Sequence, residues 1–185
     1  MTPAPTIRAP DPPLADGHVA LRPWTFDDVP DIVRCCNDEL VARFIPVIPV
    51  PYTEEDARAW VERTVAHDEL NLAITDAASG AVIGAVGVGR KADDQAIAEI
   101  GYWLAPEARG RGAATRALRL LSAWSLRELE LARLQLTADV ENDASQRVAA
   151  RGGFHREGVL RAWMNRRGER RDAVMFSLLP GEEPT

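Results

Sequence analysis

The chain has 185 residues, 46% hydrophobic and 27% charged, with a formal net charge of −6 at pH 7, which suits one folded domain with a sizeable core. No apolar run approaches the ~18 residues of a membrane-spanning helix, and no basic then apolar leader opens the chain, so a cytoplasmic protein is expected. The two cysteines, Cys35 and Cys36, are adjacent and read as packing residues, and the three histidines (His18, His67, His155) lack zinc-ligand spacing or a Ser/His/Asp arrangement, so no metal site is expected.

Five of the first thirteen residues are proline, so residues 1–17 read as a flexible arm outside the core. One domain is expected over 18–180, followed by a short acidic tail, 181–185. Val19 to Arg22 predicts a first strand, and Thr25-Phe-Asp-Asp28 a capped helix start leading through Cys36. The stretch FIPVIPVPYT, 44–53, holds three prolines and excludes regular helix or central strand, which makes it a candidate pocket wall. Thr53-Glu-Glu-Asp56 then opens a second helix to about Ala66.

Three strands follow in a meander: LNLAIT (70–75), AVIGAVGVG (81–89) and AIAEIGYWLA (96–105). Leucines and alanines at helical spacing predict a long amphipathic helix over Gly112 to Leu129. A strand at 133–140, a helix over Asn142 to Arg151 and strands at 154–161 and 171–179 complete the order β-α-α-β-β-β-α-β-α-β-β. That order implies an α+β or mixed α/β fold with helices on the faces of a sheet.

Charge is divided along the chain. Residues 107–171 carry 14 Arg against 8 Asp plus Glu, leaving −12 elsewhere. One part suits an anion and the rest a cation, although arginines spread over solvated faces would give the same count. No recognition motif or basic stripe interleaved with aromatics points to nucleic acid.

The densest chemistry lies in PEARGRGAATRAL, 106–118, a bare, positively charged turn running into the long helix. The first amides of a helix lack intrahelical acceptors and the helix dipole adds positive charge there, so this is a candidate phosphate cradle. A Walker loop would need Gly-Lys-Ser/Thr, and Gly112 is followed by Ala113-Ala114. A dinucleotide fingerprint would need a third glycine, and position 115 is Thr.

Arg109-Gly110-Arg111-Gly112-Ala113-Ala114 instead resembles the R/Q-x-x-G-x-G/A signature of the GNAT superfamily of acyl-coenzyme A-dependent N-acyltransferases. EIGYWL before the turn and ENDASQRVAARGGFHREGVLR (141–161) after it extend the likeness, as do ALRPWTFDD and RRDAVMFSLL near the two ends. The pattern covers roughly 18–180 and is most similar to the RimJ/RimL-like branch, which acetylates ribosomal-protein N-termini.

The resemblance implies a mostly antiparallel sheet of six to seven strands with one splayed parallel pair and flanking helices. It implies acetyl-CoA as co-substrate, its pyrophosphate held by backbone amides from Gly110 to Ala114, where side chains would obstruct, with Arg109 and Arg111 as electrostatic helpers. Main-chain groups of Trp103 and Leu104 would hold the pantetheine arm in the splay and meet the oxyanion. Glu99, ten residues before Arg109, is the candidate general base, on a strand face shared with apolar Ile97, Gly101 and Trp103. The tyrosine that many superfamily members use as acid is replaced by Ala149, which moves attention to Ser145 as a donor to the departing thiolate. Asn142 is expected to cap its helix, to bond the pantetheine, or both. Gly153-Phe154 reads as a turn and core packing.

A primary-amine acceptor follows, either a protein N-terminus or a small cationic amine, with no nucleic acid or membrane partner. The branch leaves a homodimer open. A longer acyl donor such as succinyl-CoA would need an arginine in the 44–53 wall or near Arg161, and a regulatory CoA-binding domain would need neither Glu99 nor Ser145.

Overall fold

The computed structural model describes residues 7–64 and 69–183. The predicted helix end near Ala66, His67, the first six residues of the arm and tail residues 184–185 lie outside the described residues. The elements run β1 (Leu14–Ala15), β2 (Val19–Pro23), α1 (Val29–Cys36), α2 (Glu39–Phe44), α3 (Glu54–Thr64), β3 (Glu69–Asp76), β4 (Val82–Arg90), β5 (Ile97–Leu104), α4 (Ala113–Glu128), β6 (Arg133–Asp139), α5 (Asp143–Arg151), β7 (His155–Arg166) and β8 (Glu169–Leu178). They build one eight-stranded sheet in the order β1-β2-β3-β4-β5-β6-β8-β7. Its central β5–β6 pair is parallel and its other pairs are antiparallel, the mixed α/β architecture expected.

Two elements were not legible as such. β1 has two residues, too few for an alternation signal, and adds the eighth strand. The six-residue α2 opens at Asp38, whose carboxylate accepts from the amides of Leu40 and Val41 at 3.1 Å each, an N-cap lost between the first helix and the proline loop. β7 also runs past the predicted residue 161 to Arg166.

Strand alternation separates two cores. On one face α4 seats Ala117, Leu118 and Leu121, all 0% exposed, against Leu72, Ile74, Ile100 and Leu134. On the other, Ile32 of α1 and Ala57 and Val61 of α3 close over Trp24, Ala73 and Ala85. Burying one such leucine contributes about 1.5–3 kcal/mol, so the two faces hold the helices independently of the chemistry between them. Phe154 is buried in the first core, and Gly153 at φ +93° makes the turn before β7.

The N-terminal segment departs from the expected free arm. Ile7 is 6% exposed and belongs to the α4-side core, and β1 pairs with β2. Asp16 accepts from Arg116 of α4 at 2.8 Å. Proline content made 1–17 look unstructured, yet proline bars only regular ladders and leaves side chains free to pack. Among the described residues, no helix is long and apolar enough to cross a membrane.

Candidate active site

The site begins where the parallel ladder fails. β5 and β6 pair at Ile97↔Arg133, Ala98↔Leu134 and Glu99↔Gln135, and no further. Beyond Glu99, β5 continues only against β4 and β6 only against β8, so their ends diverge. A cavity of about 1250 Å³ occupies the divergence, walled by Glu99, Gly101 and Trp103 of β5, Thr137 of β6, and Asn142 and Ser145 from α5. Phe44 to Pro49 and Tyr52 form another wall, as expected of the proline-rich loop.

Glu99 holds the last paired position. Thr137 Oγ1 donates to its Oε1 at 2.9 Å, and Gln135 Nε2 approaches its Oε2 at 3.5 Å. The apolar surroundings expected along its own strand are therefore corrected by β6, which the parallel register sets beside it. Trp103, on the same face, turns its indole into the second core, stacked on Trp24 with ring centroids 6.2 Å apart.

Beside Glu99 the floor is bare. A Cβ on Gly87 would fall 2.1 Å from Asn71 Oδ1, and one on Gly89 would fall 2.8 Å from Glu69 Cγ. These glycines let Asn71 and Glu69 lean across β4. Gly101 has open space where its Cβ would stand, which leaves room over the β5 floor.

The predicted cradle lies where β5 leads into α4. Gly110 (φ +75°) and Gly112 (φ +84°) take left-handed conformations with open space over both α-carbons. L-residues resist that conformation, so glycine is demanded twice. The first bond inside α4 runs from the Arg116 amide to the Gly112 carbonyl at 3.1 Å, which leaves the preceding amides of Ala113, Ala114 and Thr115 for an external acceptor.

The two arginines separate here. Arg109 turns back: its guanidinium is ion-paired with Asp38 and donates to the Leu104 carbonyl at 3.0 Å. It anchors the turn to α2 instead of extending toward an anion, which corrects its expected electrostatic role, and it occupies the Leu104 carbonyl. Arg111 is exposed and makes no ion pair among the described residues. Part of the Arg-rich segment's charge is neutralised, with Arg116, Arg127, Arg133, Arg166 and Arg171 also ion-paired.

On α5, Asn142 Oδ1 caps the helix by accepting from the Ser145 amide at 3.0 Å, and its side-chain NH₂ makes no bond among the described residues. The Ser145 hydroxyl lies 2.9 Å from the Tyr102 hydroxyl. Burial pushes the Tyr102 phenol up to about 12, an effect the Ser145 contact offsets in part. Sequence reasoning missed Tyr102. Tyr102 lies within EIGYWL, where alternation places it with Ile100 on the face opposite Glu99, and it was not singled out. Burial likewise pushes Cys35 and Cys36 up to about 11 and about 12, in keeping with inert packing thiols.

A glycine turn with free amides, opening beside the divergence of two parallel strands, fits the pyrophosphate and pantetheine of coenzyme A. Residues 18–155 match the acetyltransferase (GNAT) domain family. The chain belongs to the GNAT acetyltransferases. It is an N-acetyltransferase, of a family whose co-substrate is acetyl-CoA.

Among similar proteins, YdaF of Bacillus subtilis, provisionally named a ribosomal N-acetyltransferase, is 44% identical over 85 residues. That match spans 46% of each chain, so this GNAT enzyme is aligned with less than half the length of that relative. Spermidine N(1)-acetyltransferase of Escherichia coli is 27% identical over 165 residues, 86% of this chain and 85% of its own. Mycobacterium smegmatis RimJ, solved in complex with CoA-disulfide, superposes with a TM-score of 0.81 at 25% identity, covering 94% of this chain and 88% of its own. The RimJ/RimL-like branch read from the motifs is the branch to which this GNAT chain is related.

Proposed function

We propose that this GNAT enzyme acetylates the primary amine of a cationic acceptor by direct attack within a ternary complex, with Glu99 as general base. The observation that carries the reading is the Glu99 carboxylate in the cavity wall, at the last paired position before β5 and β6 diverge. Most amines are protonated at pH 7, and a carboxylate here accepts the proton directly or through one water. The Thr137 hydroxyl at 2.9 Å holds that carboxylate in one orientation.

Acetyl-CoA, when bound, supplies the activated acyl carbon and a thiolate leaving group. Amides of Gly110 to Ala114 would hold its pyrophosphate, the free NH₂ of Asn142, main-chain groups of Trp103 and the Leu104 amide its pantetheine arm, and Ser145 would donate to the sulfur. Arg111 is the arginine of the turn left free to add charge.

The cavity lining favours a cation as acceptor. Four lining carboxylates without an ion pair among the described residues (Asp56, Glu69, Asp93, Glu99) outnumber the three basic groups (Arg63, Arg90, Lys91), while Asp139 is paired with Arg166 at 3.3 Å. Relatives named for ribosomal-protein and spermidine acetylation both modify amines, in line with either a protein N-terminus or a small polyamine. Of the two places expected to hold an arginine for a longer acyl donor, the 44–53 wall has none and Arg161 on β7 is not among the cavity-lining residues.

The test is a thiol-release screen crossing acetyl-CoA and succinyl-CoA with cationic, neutral and acidic amines. Acetyl transfer should be fastest to cationic amines. Preference for an acidic acceptor, or for succinyl-CoA, would overturn the reading.

A further inference from the structure

The Tyr102–Ser145 contact crosses the gap that the active site depends on. Tyr102 stands on β5 three residues beyond the last β5–β6 pair, and its backbone is paired only with Val86 of β4. Ser145 stands on α5, which follows directly from β6, the Asn142 amide still donating to the Asp139 carbonyl at 2.8 Å. The two hydroxyls thus approach from opposite sides of the divergence and meet at 2.9 Å, both facing the cavity.

The contact has a direction that chemistry selects. A phenol is a far better donor than an aliphatic alcohol, and Tyr102, set in the α4-side core, remains protonated throughout the working pH range. With Tyr102 donating to Ser145 Oγ at 2.9 Å, its shorter contact beside the Ser145 carbonyl at 3.4 Å, the serine proton is released to point elsewhere. A serine hydroxyl on a helix otherwise commonly donates to the carbonyl three or four residues earlier. Two hydroxyls in series also polarise each other, so the outer one becomes the stronger donor.

We propose that Tyr102 is a positioning residue that holds the Ser145 hydroxyl across the β5/β6 gap with its proton directed at the sulfur leaving the acyl donor. The proposal rests on the reading of Ser145 as the sulfur's hydrogen-bond partner. No bond is made or broken by Tyr102: it accepts no proton from the reaction, and its effect passes through Ser145.

The test is a cycle of Tyr102→Phe, Ser145→Ala and the double variant, each checked for fold by circular dichroism and for coenzyme A affinity by calorimetry. For each, kcat, KM for the amine and the thiol pKa of bound coenzyme A, followed by thiolate ultraviolet absorbance, are measured. Tyr102→Phe should lower kcat about fivefold to tenfold with KM for the amine within about twofold, and raise the bound thiol pKa. In the Ser145→Ala background it should change neither quantity. Wild-type kcat and thiol pKa in Ser145→Ala would remove the underlying reading of Ser145. Losses in Ser145→Ala combined with a silent Tyr102→Phe, or with effects of the two that multiply, would overturn the Tyr102 proposal alone. Tyr102→Leu guards against packing effects: it should match Tyr102→Phe in thiol pKa, and a wild-type thiol pKa in it would also count against the proposal.

Discussion

At the scale of single residues, the site works through side chains whose neighbours come from other strands. Glu99 sits among apolar residues along β5, yet its carboxylate is met by Thr137 from β6 at 2.9 Å. Glu99→Gln keeps that contact and removes the proposed base. It should lower kcat/KM for the amine about a hundredfold near neutral pH with coenzyme A affinity nearly intact. The deficit should narrow as pH rises, because a larger fraction of the amine is then already neutral. Equal activity of the two proteins across the pH range would return Glu99 to a structural role. Arg109 teaches the opposite lesson: a motif arginine beside the proposed phosphate cradle has its charge committed to Asp38.

At the scale of elements, the turn into α4 acts through what it lacks. Two left-handed glycines expose helix amides that any larger side chain would cover. Gly112→Glu adds a Cβ at φ +84° and a negative charge at the anion site. Coenzyme A binding measured by calorimetry should vanish while circular dichroism remains that of a folded protein; retained binding would refute the cradle. The far end of the sheet shows a different device. A bulge between Arg156 and Gly158 lets Glu157 of β7 reach past β8, accepting from Ser177 at 2.7 Å and from Arg133 of β6 at 2.6 Å. Arg133 and Ser177 hold the Glu157 carboxyl down at about 2, below its ordinary 4.5. Because the folded-state value is the lower one, this clamp stabilises above about pH 4.5 and its contribution fades as pH falls through about 2. Glu157→Gln should therefore lower Tm at pH 7, and the difference from wild type should shrink steadily as the solution is acidified below 4.5. A difference independent of pH would assign the loss to packing.

At the scale of the molecule, one sheet separates two jobs. The α4 side carries the larger aliphatic core, and the α1 and α3 side carries the tryptophans that border the cavity. The turn and the acceptor wall are also tied together, by Arg34 to Glu107 and by Arg109 to Asp38. The N-terminal segment completes the first core through Ile7, so Ile7→Ala should cost about 2–4 kcal/mol by lost transfer energy and a residual cavity. Thermal unfolding should register this as a fall in Tm of about 4–15 °C. An unchanged Tm would put residues 7–17 back outside the cooperative unit.

Local pattern alone determined much of this protein. Period-two strands, period-3.6 helices and glycines that only a left-handed turn requires are properties of neighbouring residues, so β2 to β8, α1, α3, α4, α5 and the Gly110–Ala114 turn could all be read along the chain. The motif order carried the family in the same way. Only the tertiary structure decided which residues meet across strands: Thr137 at Glu99, Tyr102 at Ser145, Asp38 at Arg109 and Ile7 in the core. The three pairs join residues 38 or more positions apart in the chain, and the first two follow from where one parallel ladder stops pairing. A ladder's end is set by register and sheet twist, which no local period encodes.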